Sequence, residues 1–218
     1  MNGVLADLAD REYSISRLLD HIDDVSEIRR KVDVIVVLKS SVFIALYNNI
    51  EATAYSAIER VHDRASSLFY DDLSDAFRIK MLRYAFGKTA GAYISDADKV
   101  ADQEYRFRSM GQTFPEFSDY LRRQPLFSGN VDARKLNVIG ISYGMEKIPF
   151  IKGDAERMLW VKNKRNKIAH GEQSMSDGGQ GIKTLDLRRA STSVGVILRE
   201  FICAVGTHLE AGSYRCMK

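Results

Sequence analysis

A chain of 218 residues, 45% hydrophobic and 28% charged, is long enough for one domain with a sizeable core and excludes gross disorder. Its 32 basic and 29 acidic side chains leave a formal charge of +3, too little to mark a nucleic-acid binder by total charge. Cys203 and Cys216 exclude a disulfide framework. The amino terminus lacks the basic start and apolar core of a signal peptide, so the expectation is a cytoplasmic protein with reduced thiols.

The spacing predicts helix almost throughout. Leu5, Leu8, Ile15, Leu18, Leu19, Ile22 and Val25 recur at helical intervals over residues 4–30. Residues 32–65 are the most apolar segment. Its β-branched start, VDVIVVLKSSVFI, resembles a strand, but no turn signal interrupts it and its length exceeds any ordinary strand, which predicts one long core helix. Asp33, Lys39 and two serines make it a buried helix rather than a membrane span. A helix over 71–86 is stopped by Gly87, a weaker one covers 96–109, and a short one ends at Arg123. Asn130 or Asp132 caps the next, which runs to Tyr143 and is closed by Gly144. Asp154 is expected to cap a helix that Gly171 closes. SMSDGGQG, 174–181, reads as a flexible loop, and 184–210 as a last amphipathic helix. With no repeat or linker, the chain reads as a single domain, 1–218. Its core helices lie at about 4–65 and 154–210, with a helical elaboration inserted at about 66–145.

The chemistry concentrates in the 154–171 helix. Residues 146–170 carry seven bases against three acids, a local +4 that suits a polyanion, although a solvated lysine-rich face has the same composition. Within it, KNKRNKIAHG places Arg165 five residues before His170, with Asn166 directly after the arginine. An imidazole can take the proton of a ribose 2′-hydroxyl, and a guanidinium can hold the phosphate and offset its growing charge. On a helical wheel Arg165 falls in the apolar stripe, so it must reach a cleft or a partner charge. It lies about 140° around the axis and about 7.5 Å along it from His170. A helix end that brings the two together, or pairing with a second subunit, would satisfy that geometry.

KRNKIAHG resembles the R-x4–6-H hallmark of the HEPN domains, in particular of the stand-alone prokaryotic HEPN ribonucleases of defence and toxin systems. SSVFIALYNNIEATAYSAIE (40–59) and LFSGNVDARKLNVIGISYG (126–144) resemble further segments of that group. The resemblance implies an all-α up-and-down helical bundle that homodimerises and cleaves RNA without a metal or cofactor. His170 would be general base or acid, Arg165 would bind phosphate, and Asn166 would orient one of them. Some toxin members carry a tyrosine two residues after the histidine. Here Glu172 stands there, so modification at that position is not expected. RNA, a second copy of the chain and an antitoxin or defence-system protein are the expected partners, with no membrane. The alternative is a non-catalytic HEPN module that binds RNA, a nucleotide or a protein.

Glu51 and Asn48, polar within the apolar helix, are candidate supports for Arg165, although a structural or surface role is the plainer reading. Lys162, Lys164 and Lys167 are candidate substrate contacts. Ser128-Gly129-Asn130 offers backbone N–H groups to a phosphate, with an ordinary capping turn favoured. His21, His62 and His208 lack ligand spacing and read as surface residues. Trp160 and the tyrosines at 47, 55, 84, 105 and 143 read as core or interface. No metal-ligand pattern is present.

Overall fold

A computed structural model describes residues 1–28, 31–127 and 129–216. The fold is all-α, with no strand among the described residues beyond isolated bridges joining Phe69 to Thr113 and Leu73 to Arg215. The helices are α1 (Asn2–Ser26), α2 (Val32–Ala65), α3 (Asp75–Phe86), α4 (Ala90–Tyr93), α5 (Ala97–Ser109), α6 (Phe117–Arg123), α7 (Ala133–Ser142), α8 (Lys152–Ala169), α9 (Met175–Gly179) and α10 (Thr184–Glu210). The expected single helix over 32–65 is present, so the β-branched start does not override a continuous helical pattern. α2 and α10 are each long and apolar enough to cross a bilayer, and both contribute core residues.

Two compact units interleave along the chain. The first comprises Met1–Ala54, Gly129–Leu136 and Ile148–Ile202; the second comprises Tyr55–Ser128, Asn137–Lys147 and Cys203–Lys218. In the first, Leu8, Ile15, Leu19 and Ile22 of α1 are buried, as are Phe43, Leu46 and Ile50 of α2 and Val194, Leu198 and Phe201 of α10. Each set recurs at intervals of three, four or seven residues, the spacing that puts one helical face inward. α1 and α10 run antiparallel, because Glu12 pairs with Arg199 while Asp20 and Asp23 both pair with Arg188. Arg11 ties α1 to α2, donating to Asn49 Oδ1 at 2.8 Å and Thr53 Oγ1 at 3.1 Å.

Three expectations need correction, and each has a local cause. Asp154 does not cap α8, which begins two residues earlier, after Ile151. It sits in the first turn instead, where a carboxylate complements the helix dipole, and accepts from Ser193 Oγ at 2.6 Å. Residues 174–181 are not a flexible loop. Ser174 and Asp177 form a reciprocal capping box that starts α9, and Gly178 and Gly179 are buried. A Cβ on Gly179 would overlap the Val36 carbonyl, so this glycine serves close approach. Ser40 Oγ and Lys39 Nζ fasten the segment further by donating to the Met175 and Ile182 carbonyls at 2.5 and 2.7 Å.

The third correction lies in the second unit, where His62 and His208 are buried rather than at the surface. The His62 ring is packed among Phe114, Phe117, Tyr120 and Tyr143. Its Nδ1 lies 3.0 Å from the Pro115 carbonyl, which can only accept, so Nδ1 carries the proton. Nε2, 2.8 Å from the Tyr143 hydroxyl, then accepts. Tyr105, 71% exposed on the polar helix α5, is outside the core. Ser128, part of the proposed phosphate-binding turn, lies outside the described residues.

Candidate functional site

Helix α8 remains helical through Ala169, and Gly171, at φ 74°, turns the chain out of it as the sequence predicts. The Gly171 N–H donates to Ile168 O at 3.1 Å and the Gln173 N–H to Lys167 O at 3.1 Å, satisfying carbonyls at the helix end. His170 is the C-cap residue, and its own N–H bonds the Asn166 carbonyl at 2.9 Å. Its ring is exposed and makes no hydrogen bond to any described residue.

Arg165 is held much more firmly. Its Cζ lies 4.1 Å from the centroid of the Tyr47 ring, so the guanidinium stacks on an aromatic face of α2. Nη1 donates to Asn166 Oδ1 at 3.1 Å, and Nη2 is 3.8 Å from Glu51 Oε2. That last separation is an ion pair without a hydrogen bond. The Arg165 side chain keeps 21% of its surface exposed and that of Glu51 keeps 23%. Most guanidinium N–H donors therefore remain unbonded to described residues, on a group whose position three neighbours fix.

The platform continues into the segment before α7. Asn166 Nδ2 donates to Asn130 Oδ1 at 2.6 Å, and the Tyr47 hydroxyl accepts the Val131 N–H at 2.9 Å. Burial pushes the Tyr47 hydroxyl up to about 12, and the Glu51 carboxylate beside it acts in the same direction. Tyr47 is thus a neutral phenol that cannot neutralise Arg165. Asp132 caps α7 by accepting from the Lys135 N–H at 2.9 Å and takes Lys162 Nζ at 2.7 Å. Burial would raise the Asp132 carboxyl, but these two donors outweigh it and hold it below the usual carboxylate range.

The candidate residues therefore divide. Arg165, Asn166 and Glu51 converge, whereas Asn48 is exposed and bonds none of them. The neighbouring Asn49 turns inward to Arg11 instead. Lys162 is committed to Asp132, and Lys164 Nζ reaches the Gly178 carbonyl at 3.4 Å. Lys167 is exposed and forms no ion pair among the described residues. Two contributors were absent from the sequence-derived set. Tyr47 sits four residues before Glu51 on the same face of α2, so helical phase alone would have found it. Asn130, from a distant non-helical segment, carries no periodic signal. Among the described residues, no group of three or more His, Cys, Asp or Glu side chains is placed to hold a metal.

Tyr47→Phe is expected to lower stability by about 1–2 kcal/mol, because it leaves the buried Val131 N–H without its acceptor. Asn48→Ala, on the exposed side, should stay within about 0.5 kcal/mol. Urea denaturation of both variants checks the contrast.

The fold is an all-α one in which an arginine and an asparagine stand on the last turns of a helix that a histidine and a glycine terminate. A family comparison matches residues 3–211 to the HEPN_MAE_28990-like HEPN domains, and the chain belongs to this HEPN family. No curated protein and no solved structure matches it.

Proposed function

We propose that this HEPN protein is a metal-independent endoribonuclease acting in a toxin or antiphage defence role in the cytoplasm. The observation that carries the reading is the Arg165 guanidinium: stacked, largely buried, positioned by Tyr47, Asn166 and Glu51, and still rich in free N–H donors. Such a group is ready for a phosphodiester and stabilises charge as it builds on the non-bridging oxygens. The ribose 2′-oxygen attacks phosphorus and loses its proton to His170, the phosphorus–O5′ bond breaks, and the 5′-oxygen takes up a proton from an imidazolium. The products are a 2′,3′-cyclic phosphate and a 5′-hydroxyl.

Geometry favours a composite site. Because α8 stays helical to Ala169, Arg165 and His170 leave it about 140° apart, which favours Arg165 of one copy working with His170 of a second. A homodimer also supplies two imidazoles, one as base and one as acid. A protein antitoxin or defence partner would govern such an enzyme by covering this surface.

Purified protein incubated with total cellular RNA in excess EDTA is expected to cut it, and end analysis is expected to find cyclic phosphates. Intact RNA across substrates and protein concentrations would defeat the reading. One observation favours the alternative, a HEPN module that binds RNA or a protein without cleavage: no described residue fixes the His170 ring. Tight RNA binding with unchanged RNA ends is its signature.

A further inference from the structure

The second unit carries positive charge that its own ion pairs do not absorb. Residues 76–95 contain Arg78, Lys80, Arg83 and Lys88 and no carboxylate. Two of these four are used internally. Lys80 Nζ donates to Ser142 Oγ at 2.8 Å and lies 4.0 Å from the Tyr143 ring centroid; Arg78 pairs with Asp75 and donates to the Tyr70 and Asp71 carbonyls. Arg83 and Lys88 are exposed and form no ion pair among the described residues.

The end of α6 adds two more cations beside them. Gln124 Nε2 donates to the Arg83 carbonyl at 2.9 Å and to the Gly87 carbonyl at 2.8 Å, stitching the end of α6 to the end of α3. This places the Arg123 guanidinium 4.7 Å from the centroid of the Tyr84 ring, with Nη1 3.5 Å from the Tyr84 carbonyl. Arg122 has only Asp119, at 3.2 Å, and those side chains are 78% and 50% exposed, so water screens the pair heavily. Tyr84, half-buried, is backed by the buried Tyr120 ring at 6.3 Å and 18°. The carbonyl ends of two helices favour a cation apiece. Arg83 and Lys88 flank Tyr84 in sequence and Arg123 packs on its ring, and these three exposed cations without ion pairs exceed that need.

We propose that Arg83, Lys88, Arg123 and Tyr84 form a docking surface for single-stranded RNA, holding a strand through its phosphates and stacking one base on the Tyr84–Arg123 pair. The choice of RNA rests on the ribonuclease reading, whereas the binding itself does not require cleavage. A flexible single strand can follow cations at irregular spacing while every base offers a flat face to an aromatic or guanidinium plane. An acidic protein segment would match the charge and leave the ring without a role.

The test uses the full chain carrying His170→Ala, so that RNA survives, and the fluorescence anisotropy of a labelled, unstructured 20-nucleotide RNA between 50 and 200 mM KCl. Adding Arg83→Ala, Lys88→Ala and Arg123→Ala together is expected to weaken binding at least about tenfold at the lowest salt. The same change should cut the log–log salt slope by about 2, since each phosphate contact on a single strand contributes roughly 0.7. Tyr84→Leu is expected to weaken binding severalfold with the slope unchanged. Unchanged affinity and slope in the triple variant overturns the proposal. So does the same result in the milder Lys88→Gln/Arg123→Gln pair, should the triple variant melt early. Absence of RNA binding by the His170→Ala chain overturns it too, as does polyglutamate competing as well as unlabelled RNA of equal charge. Lack of cleavage by the wild type, with binding that depends on these residues, would remove the ribonuclease reading and leave the docking surface standing.

Discussion

Under the proposed ribonuclease reading, His170→Ala is expected to lower RNA cleavage by about 10²- to 10⁴-fold, the range for loss of a general acid or base, and Arg165→Ala by about 10²- to 10³-fold, the range for loss of one charge-stabilising group. Neither change should unfold the protein, since the His170 ring is exposed and the Arg165 guanidinium has only a 3.8 Å ion pair and one side-chain hydrogen bond to lose. The informative measurement is the mixture. If each reaction centre takes Arg165 from one copy and His170 from the other, a dimer of one Arg165→Ala chain and one His170→Ala chain retains one intact centre. Random exchange makes half the dimers of this kind, so the equimolar mixture should recover about a quarter of wild-type activity. Two inactive variants that stay inactive when mixed, under conditions where subunits exchange, would rule out this division of labour. Arg165→Lys is expected to recover little, because an ammonium lacks the planar face that stacks on Tyr47 and the fork that grips a phosphate.

Local periodicity made the architecture legible. The α2 and α10 helices, the Gly87, Gly144 and Gly171 stops and the Asp132 cap all follow from spacing and turn chemistry within a few residues. The site was half legible. Arg165 was expected to need a partner because of its place on the apolar stripe of α8, and its partners are Tyr47 and Glu51. Tyr47 could have been identified, since it shares a helical face with Glu51. The Asn130–Asn166 and Asp132–Lys162 contacts could not, because they join segments some thirty residues apart that neither pattern nor charge connects. The lysine run shows the limit of composition as a guide. It read as one cationic surface, yet Lys162 belongs to a buried pair and Lys164 to a backbone carbonyl, and Lys167 is the one left exposed. The SMSDGG segment misled for a related reason. Its glycines mark flexibility in isolation, but here one of them allows the backbone to pass against Val36.

The second large effect concerns stability, through a histidine outside the candidate site. Burial lowers His62 to about 4; the Pro115 carbonyl opposes this, nearby Lys80 reinforces it, and Asp63 opposes it weakly. An unfolded histidine titrates near about 6.5. Between those two values the unfolded chain binds a proton that the folded chain refuses, so stability rises with pH across that window. The contribution is fully present above about pH 7, is lost progressively as pH falls below about 6.5, and levels off below about 4. A separation of about 2.5 units corresponds to about 3 kcal/mol in all, most of it gone by about pH 4.5. His208, also lowered by burial, acts in the same direction, whereas Asp132, held below the usual carboxylate range, loses its contribution only at more acid pH. Urea unfolding at pH 7 and pH 4.5 is therefore expected to show a loss of about 2–3 kcal/mol in the wild type. His62→Gln keeps a donor and an acceptor near Pro115 and Tyr143 but cannot take up a proton, so it should be less stable at pH 7 and lose much less on acidification. An equal acid-induced loss in both proteins would mean that the neutral His62 ring is not what makes the second unit sensitive to acid.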